Sequence, residues 1–426
     1  MTHPPAGAHY DALETRSADA REHALLHALP QQLAHARAHA PAYTRSLAGI
    51  DPLHFASRSA LAQLPVLRKH ELLAAQHRAD APDVFGGYSA VGWGAARAPG
   101  ARALRVFVSP GPIHEPDAAA PDHWRMARAL FAAGFRPGDL VHNSFSYHFT
   151  PAGAMAESGA CAIGCTVFPA GTGQTEQQVQ AMAALRPACY VGTPSFLKIV
   201  LDKADELGVA LPWLCRASVG GEAFPPSLRD WLQARGVAAY QSYGTADLGL
   251  IAYETPAREG LVLDEGVIVE IVRPGTGDVV ADGEVGEVVV TTLNPAYPLI
   301  RFGTGDLSAV LPGTCPTGRT NTRIKGWMGR ADQTAKVRGM FVHPAQVAEI
   351  ARRHPEVRRA RLVVSGEMAN DMMSLRVEVE GAPEGLAARL ADSVRDVTKL
   401  RSDVALCEPG SLPNDGKVIE DARTYR

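Results

Sequence analysis

The pattern of apolar and polar positions changes texture along the chain. Residues 10–50 carry apolar side chains at helical spacing, among them Leu25, Leu26, Leu29 and Leu33, and predict a helical start interrupted at Pro30. From about 104 to 300, apolar runs of strand length alternate with helical patterns. Leu104–Val108, Ala162–Phe168 and Cys189–Val191 read as strands, and Glu176–Leu185 and Ser195–Leu207 as helices. That alternation predicts an α/β layer of mostly parallel strands.

Between about 260 and 312 the pattern shifts to short strands, such as Gly266–Val272 and Gly286–Val290, parted by turn clusters such as Gly275-Thr276-Gly277-Asp278. This predicts an antiparallel β subdomain. Residues 338–426 read as a small α+β unit, with a helix opened by Val342-His343-Pro344 and running through His354, and strands at Ala360–Val364 and Leu375–Val379. The expected architecture is a large α/β domain over 1–328, with layered, mostly parallel sheets and the β subdomain, and a small α+β domain over 333–426. A linker lies at about 329–333.

Composition narrows the function. A chain of 426 residues spans two or three domains at roughly 150 residues each. Its formal charge of -3 argues against a general nucleic-acid-binding surface. The six cysteines are scattered without a CxxC pair, which predicts a reduced, cytoplasmic chain. No basic and apolar leader opens it, and no run of about 18 apolar residues occurs, so no membrane association is expected.

Four glycine-containing clusters carry the candidate chemistry, because glycine lets backbone amides approach a ligand closely. Gly220-Gly221-Glu222 ends an apolar run before a helix, where α/β proteins bind ligands. Tyr243-Gly244-Thr245-Ala246-Asp247 places an aromatic face, a hydroxyl and a carboxylate within five residues. Arg301-Phe302-Gly303-Thr304-Gly305-Asp306 holds a carboxylate in a tight turn, suited to accept hydrogen bonds from vicinal hydroxyls. Gly329-Arg330-Ala331-Asp332 with Lys336-Val337-Arg338-Gly339 gathers charge at the predicted boundary. Each cluster alone reads equally as a turn, a core aromatic or a solvated linker. Templates for hydrolase nucleophiles, Walker loops and Rossmann dinucleotide loops are absent.

In this order the clusters, together with Asp415-Gly416-Lys417, resemble the adenylate-forming acyl-CoA synthetases, and most closely the phenylacetate-CoA ligase branch. The resemblance runs from about residue 10 to the end. It implies ATP-dependent activation of an aryl or medium apolar carboxylic acid through an acyl-adenylate, then transfer to CoA. By the same resemblance Gly220, Gly221 and Glu222 form the adenine-side loop, Tyr243, with Gly244 and Thr245, stacks on adenine, and Asp306 takes the ribose hydroxyls. Arg330 lies near ribose and phosphates, Asp247 helps hold Mg²⁺, and Gly339 belongs to the hinge motif. Asp332 is then the pivot of a mobile C-terminal domain, and Lys417 the cation that meets the α-phosphate.

Two departures stand out. The phosphate loop, normally rich in Ser, Thr and Gly, is here Ser109-Pro110-Gly111-Pro112-Ile113-His114-Glu115-Pro116, whose prolines remove backbone donors and predict a weaker hold on the β- and γ-phosphates. The Cys-Pro-Cys segment that binds zinc in some relatives is Cys315-Pro316-Thr317, and one thiolate predicts no structural zinc. Two alternatives remain at this level: a non-catalytic relative that binds a nucleotide or acyl-adenylate, and an adenylating enzyme that loads a carrier protein. A homodimer is compatible with either.

Overall fold

The computed structural model describes residues 7–94, 101–331, 333, 335–337, 340–366, 372–381 and 383–423. The chain divides into two compact units, each assembled from separated stretches. The first comprises Met1–Val269, Val290–Phe302 and Leu311–Gly326, the second Glu270–Val289, Gly303–Val310 and Trp327–Arg426.

At the centre of the first unit, parallel strands stand in the spatial order Thr166–Pro169, Leu140–Asn143, Cys189–Gly192, Arg216–Val219 and Ala238–Thr245. Gly249–Glu254, Leu261–Leu263 and Arg323–Ile324 extend that sheet with antiparallel pairing. Cys189–Gly192 is buried along its whole length, as a strand covered on both faces must be. Helices Thr175–Leu185, Pro194–Glu206 and Pro226–Ala234 pack Val179, Met182, Leu197, Val200 and Leu232 against Tyr190, Ala217 and Val219 of the strands.

The structure alters three sequence-based expectations. Ala162 and Ile163 close the helix Ala152–Ile163, and Gly164, at φ 94°, turns the chain so that the strand begins only at Thr166. The helix Ala18–His39 continues through Pro30, because Leu25, Leu29 and Leu33 bury a continuous stripe that outweighs one lost backbone bond. Leu104–Val108 is extended, but it lies in the strand Ala103–Ser109 that forms an antiparallel hairpin with Ile113–Ala118, outside the parallel layer.

The start of the chain is held by buried ion pairs. Arg21 and Arg16 both meet Glu265, at 2.9 and 2.7 Å, and Arg128 meets Asp11 and Glu14, at 2.8 and 3.1 Å. Arg319, itself buried, reaches Glu14 at 3.0 Å.

In the second unit, Asp403–Cys407, Met372–Val379, Val357–Ser365 and Ile419–Asp421 form a four-stranded sheet in that order, antiparallel in its central pair and parallel at both edges. Helices Pro344–Arg352 and Leu386–Thr398 cover it with Val347, Ile350, Leu390 and Val394. Both helices are amphipathic, with apolar positions three or four residues apart. Among the described residues no helix is long and apolar enough to cross a membrane.

Candidate functional site

In the first unit, the carboxyl ends of adjacent parallel strands bring two of the predicted clusters together. Gly220 follows the strand Arg216–Val219 and donates its N–H to Gly192 O at 3.2 Å. A Cβ there would come within 2.9 Å of Ser242 O and Oγ on the next strand, so only glycine fits. Glu222 accepts the Ser195 N–H at 2.7 Å and thereby satisfies an orphan donor at the start of the helix Pro194–Glu206. Tyr243 is buried at the end of the strand Ala238–Thr245, where the ladder with Gly249–Glu254 slips by one residue before Gly244. Thr245 Oγ1 accepts from Leu248 N at 3.1 Å, which folds the following turn and sets Asp247 inside it.

In the sequence, Tyr147-His148-Phe149 offers an aromatic lining for an acid pocket between the helix after Gly192 and the stretch from Gly220 to Tyr243. The aromatic that approaches Gly221 is instead Phe145, whose Cε1 would lie 3.7 Å from a Cβ there, with Thr193 Cγ2 at 3.8 Å. Tyr147 turns its hydroxyl inward, donating to Glu157 and accepting from Asn143, each at 2.7 Å.

Asp247 is fully buried through its side chain; its Oδ2 lies 3.3 Å from Lys69 Nζ, and its Oδ1 has no hydrogen-bond partner among the described residues. That orphan oxygen fits a hard cation as ligand. Among the described residues no group of three or more His, Cys, Asp or Glu gathers around a metal position, so further ligands would come from substrate and water. Close to Asp247 stands a carboxyl that the sequence did not single out. Glu115 is buried in the hairpin and accepts from Ser109 Oγ and, at 3.2 Å, from Ser109 N. Burial, reinforced by the charge of Asp247, pushes its pKa up to about 8. The hairpin is also clamped from outside: Gln76 accepts His114 N at 2.8 Å and donates to His114 O at 3.0 Å. With proline at 110, 112 and 116, the segment 109–116 is a pinned hairpin whose amides at Ser109 and His114 are already engaged.

The second unit gathers the other predicted residues. Backbone bonds from Ala331 N to Gly305 O, Leu307 N to Gly329 O and Met328 N to Leu307 O lay 328–331 alongside 305–307. Asp306 and Arg330 therefore pair across an antiparallel bridge, and Arg330 Nη1 donates to Asp306 Oδ1 at 2.8 Å. The guanidinium lies over Gly305, where a Cβ would come within 2.6 Å of Nη2. A residue missed from the sequence, Trp327, donates Nε1–H to the same Oδ1 at 3.1 Å.

Lys417 and Arg330 open onto one cleft of about 180 Å³, which Gly329, Gln333 and Asp415 also line. Gly416, at φ 70°, makes the turn before the lysine; its Cα sits so close to Val285 and Leu307 that a Cβ would meet them at 2.6 and 3.2 Å. Gln333 secures the turn, donating to Gly416 O and accepting from Ile419 N, both at 2.9 Å. Lys417 N–H donates to Asp415 Oδ1 at 3.0 Å, and Asp415 is also paired with Arg361. Asp332 and Gly339, expected as hinge and hinge-motif residues, lie outside the described residues.

A family model described as AMP-binding enzyme matches residues 122–296. The phenylacetate-coenzyme A ligase of Aromatoleum evansii is 30% identical over 96% of this chain and 95% of its own length. That of Pseudomonas putida is 31% identical over 82% of this chain and 79% of its own. The chain belongs to the phenylacetate-CoA ligase branch of the adenylate-forming enzymes. An open conformation of 2-hydroxyisobutyryl-CoA ligase, in complex with 2-HIB-AMP and CoA, superposes with a TM-score of 0.71 at 26% identity, covering 97% of this chain and 94% of that one.

Proposed function

We propose that this protein joins a carboxylic acid to CoA through an acyl-adenylate. Membership of the family supports the reaction class. The observation that carries the reading to residues is the set in the second unit, where a carboxylate suited to a ribose diol, Asp306, is bonded to Arg330, and Arg330 shares a cleft with the exposed ammonium of Lys417. A diol acceptor next to two cations is what a nucleoside monophosphate ester requires.

A carboxylate is a poor acyl donor to a thiol, because oxide would have to leave. Attack of the acid on the α-phosphorus of ATP expels pyrophosphate and leaves a mixed anhydride that a thiol can open. The protein's contribution is positioning and charge stabilisation. Lys417 meets the charge that builds on the α-phosphate, Asp306 fixes the ribose and Tyr243 offers its ring to the adenine. A magnesium ion, held in part through Asp247 Oδ1, would offset phosphate charge. Phe145 beside Gly221 supports an aryl or medium apolar acid as substrate. Asp332 serves as pivot for the mobile C-terminal part, and Gly339 lies in the same hinge motif. The six free cysteines support a cytoplasmic setting.

The direct test is pyrophosphate release over a panel of carboxylic acids, with and without CoA. Release that depends on an aryl or apolar acid, with a thioester appearing only when CoA is present, is the expected result. No release with any acid would overturn the reading in favour of a binding protein, and thioester on a carrier's pantetheine but not on CoA would redirect it to carrier loading.

Gln333 supplies a narrower prediction. Gln333→Ala removes the bonds that pin the Lys417 turn, and pyrophosphate release is expected to slow about tenfold through looser placement of the ammonium. An unchanged rate would show that the turn holds without it.

A further inference from the structure

Trp327 has an unusual situation for a large apolar residue. Its ring is 48% exposed, yet its one polar atom is committed to Asp306 Oδ1, 3.1 Å away, on the oxygen that also receives Arg330 at 2.8 Å. An indole N–H is a donor only, and a carboxylate an acceptor only, so the bond has one sense and is charge-assisted. Two donors from different directions fix the twist of the carboxylate about its own axis, which one donor would leave free.

The backbone explains why both donors reach the same oxygen. Trp327 stands directly before the stretch 328–331 that is laddered onto 305–307, and Arg330 lies within it, so one short paired segment brings both side chains to Asp306. The Asp306 N–H is itself held by Thr304 Oγ1 at 3.1 Å, which fixes the main chain beneath the carboxylate. Arg330, Trp327 and, through the main chain, the Thr304 hydroxyl all set the carboxylate, and Trp327 donates to it directly without adding charge.

We infer that Trp327 is a positioning residue for nucleotide recognition: its indole N–H orients the Asp306 carboxylate toward a vicinal diol and so sets the preference for ribonucleotides over nucleotides lacking the 2′- and 3′-hydroxyls. The inference rests on the role proposed above for Asp306, and adds to it the residue that aims the carboxylate.

The test is a cycle of two proteins and two nucleotides. Trp327→Phe removes the N–H and keeps an aromatic ring at the exposed position. With the full-length chain and a working acid and CoA, kcat/KM for pyrophosphate release is measured with ATP and with 2′,3′-dideoxy-ATP. The wild type is expected to prefer ATP. In Trp327→Phe that preference is expected to shrink about tenfold, the scale of one hydrogen bond to a charged group, with KM for ATP rising while kcat changes less. Because the preference is a ratio taken within one preparation, partial unfolding of the variant cancels. An unaltered preference in Trp327→Phe overturns the inference and leaves the indole a purely structural role. Equal use of both nucleotides by the wild type would instead remove Asp306 from diol recognition, and the inference with it. Loss of all turnover in the variant is resolved by the Kd values of AMP and 2′,3′-dideoxy-AMP, read by titration calorimetry, whose ratio must shrink in the same way.

Discussion

Lys417→Ala is expected to lower the rate of pyrophosphate release from ATP and acid by about a thousandfold, the scale seen when a preorganised electrostatic donor is removed from a charge-developing transition state. Thioester formation from acyl-adenylate supplied ready-made should survive to within about threefold, because that step has no charge building at the α-phosphate. The split follows from the geometry. Lys417 is exposed at the mouth of the cleft it shares with Arg330, and its backbone is fixed by Asp415, by Gln333 and by the close packing of Gly416. Loss of the ammonium therefore removes a charge without moving the turn. Following both half-reactions in one variant decides the matter: an equal fall in both would mean that the lysine supports the fold or the whole site and has no special part in adenylation.

Glu115→Gln is expected to change how stability depends on pH. In the native state Glu115 holds its proton up to about pH 8, against 4.5 when unfolded, so the folded chain binds more protons than the unfolded one between those values. Stability from this group is full below pH 4.5, falls as pH rises, and is lost once Glu115 ionises in place near 8. For a carboxyl buried beside Asp247 the accumulated loss is on the order of 5 kcal/mol. Glutamine has no proton to lose, but its Nε2 can only donate where an oxygen of the neutral carboxyl stands against Ser109, so the variant should be no more stable than the wild type at pH 5 and clearly more stable at pH 9. Thermal or urea midpoints across that range give the answer. Parallel curves for the two proteins would show that Glu115 is already charged in the folded state.

Much of the arrangement was readable because it depends on local pattern. Glu176–Leu185 and Ser195–Leu207 follow apolar spacing and lie within one residue of helices Thr175–Leu185 and Pro194–Glu206. Gly220 follows a strand, as its place after an apolar run implies, but Gly305 and Asp306, expected in a tight turn, lie within the strand Phe302–Ser308, where a side chain at 305 would strike Arg330. The adjacency of Asp306 and Arg330, by contrast, was legible only through the order of motifs, since 24 residues separate them. The antiparallel hairpin was missed because Ile113–Ala118 contains His114, Glu115, Pro116 and Asp117, a polar and proline-bearing run that carries no strand signal. Glu115 and Lys69 acquire their character only from burial and from Asp247, to which the chain brings them from distant positions. Trp327 gave no sequence signal beyond an aromatic two residues before Gly329.

The turn that carries Lys417 bears on how the molecule can be dissected. Val285 and Leu307, which close over Gly416, come from stretches more than a hundred residues upstream. A fragment cut to begin at 333 would leave that glycine facing water, with nothing to shape the loop behind the lysine. The reactive end of this protein is thus not a transplantable cassette: swaps with related chains would have to carry 270–289 and 303–310 along with the tail if the exchanged lysine is to arrive in its native pose.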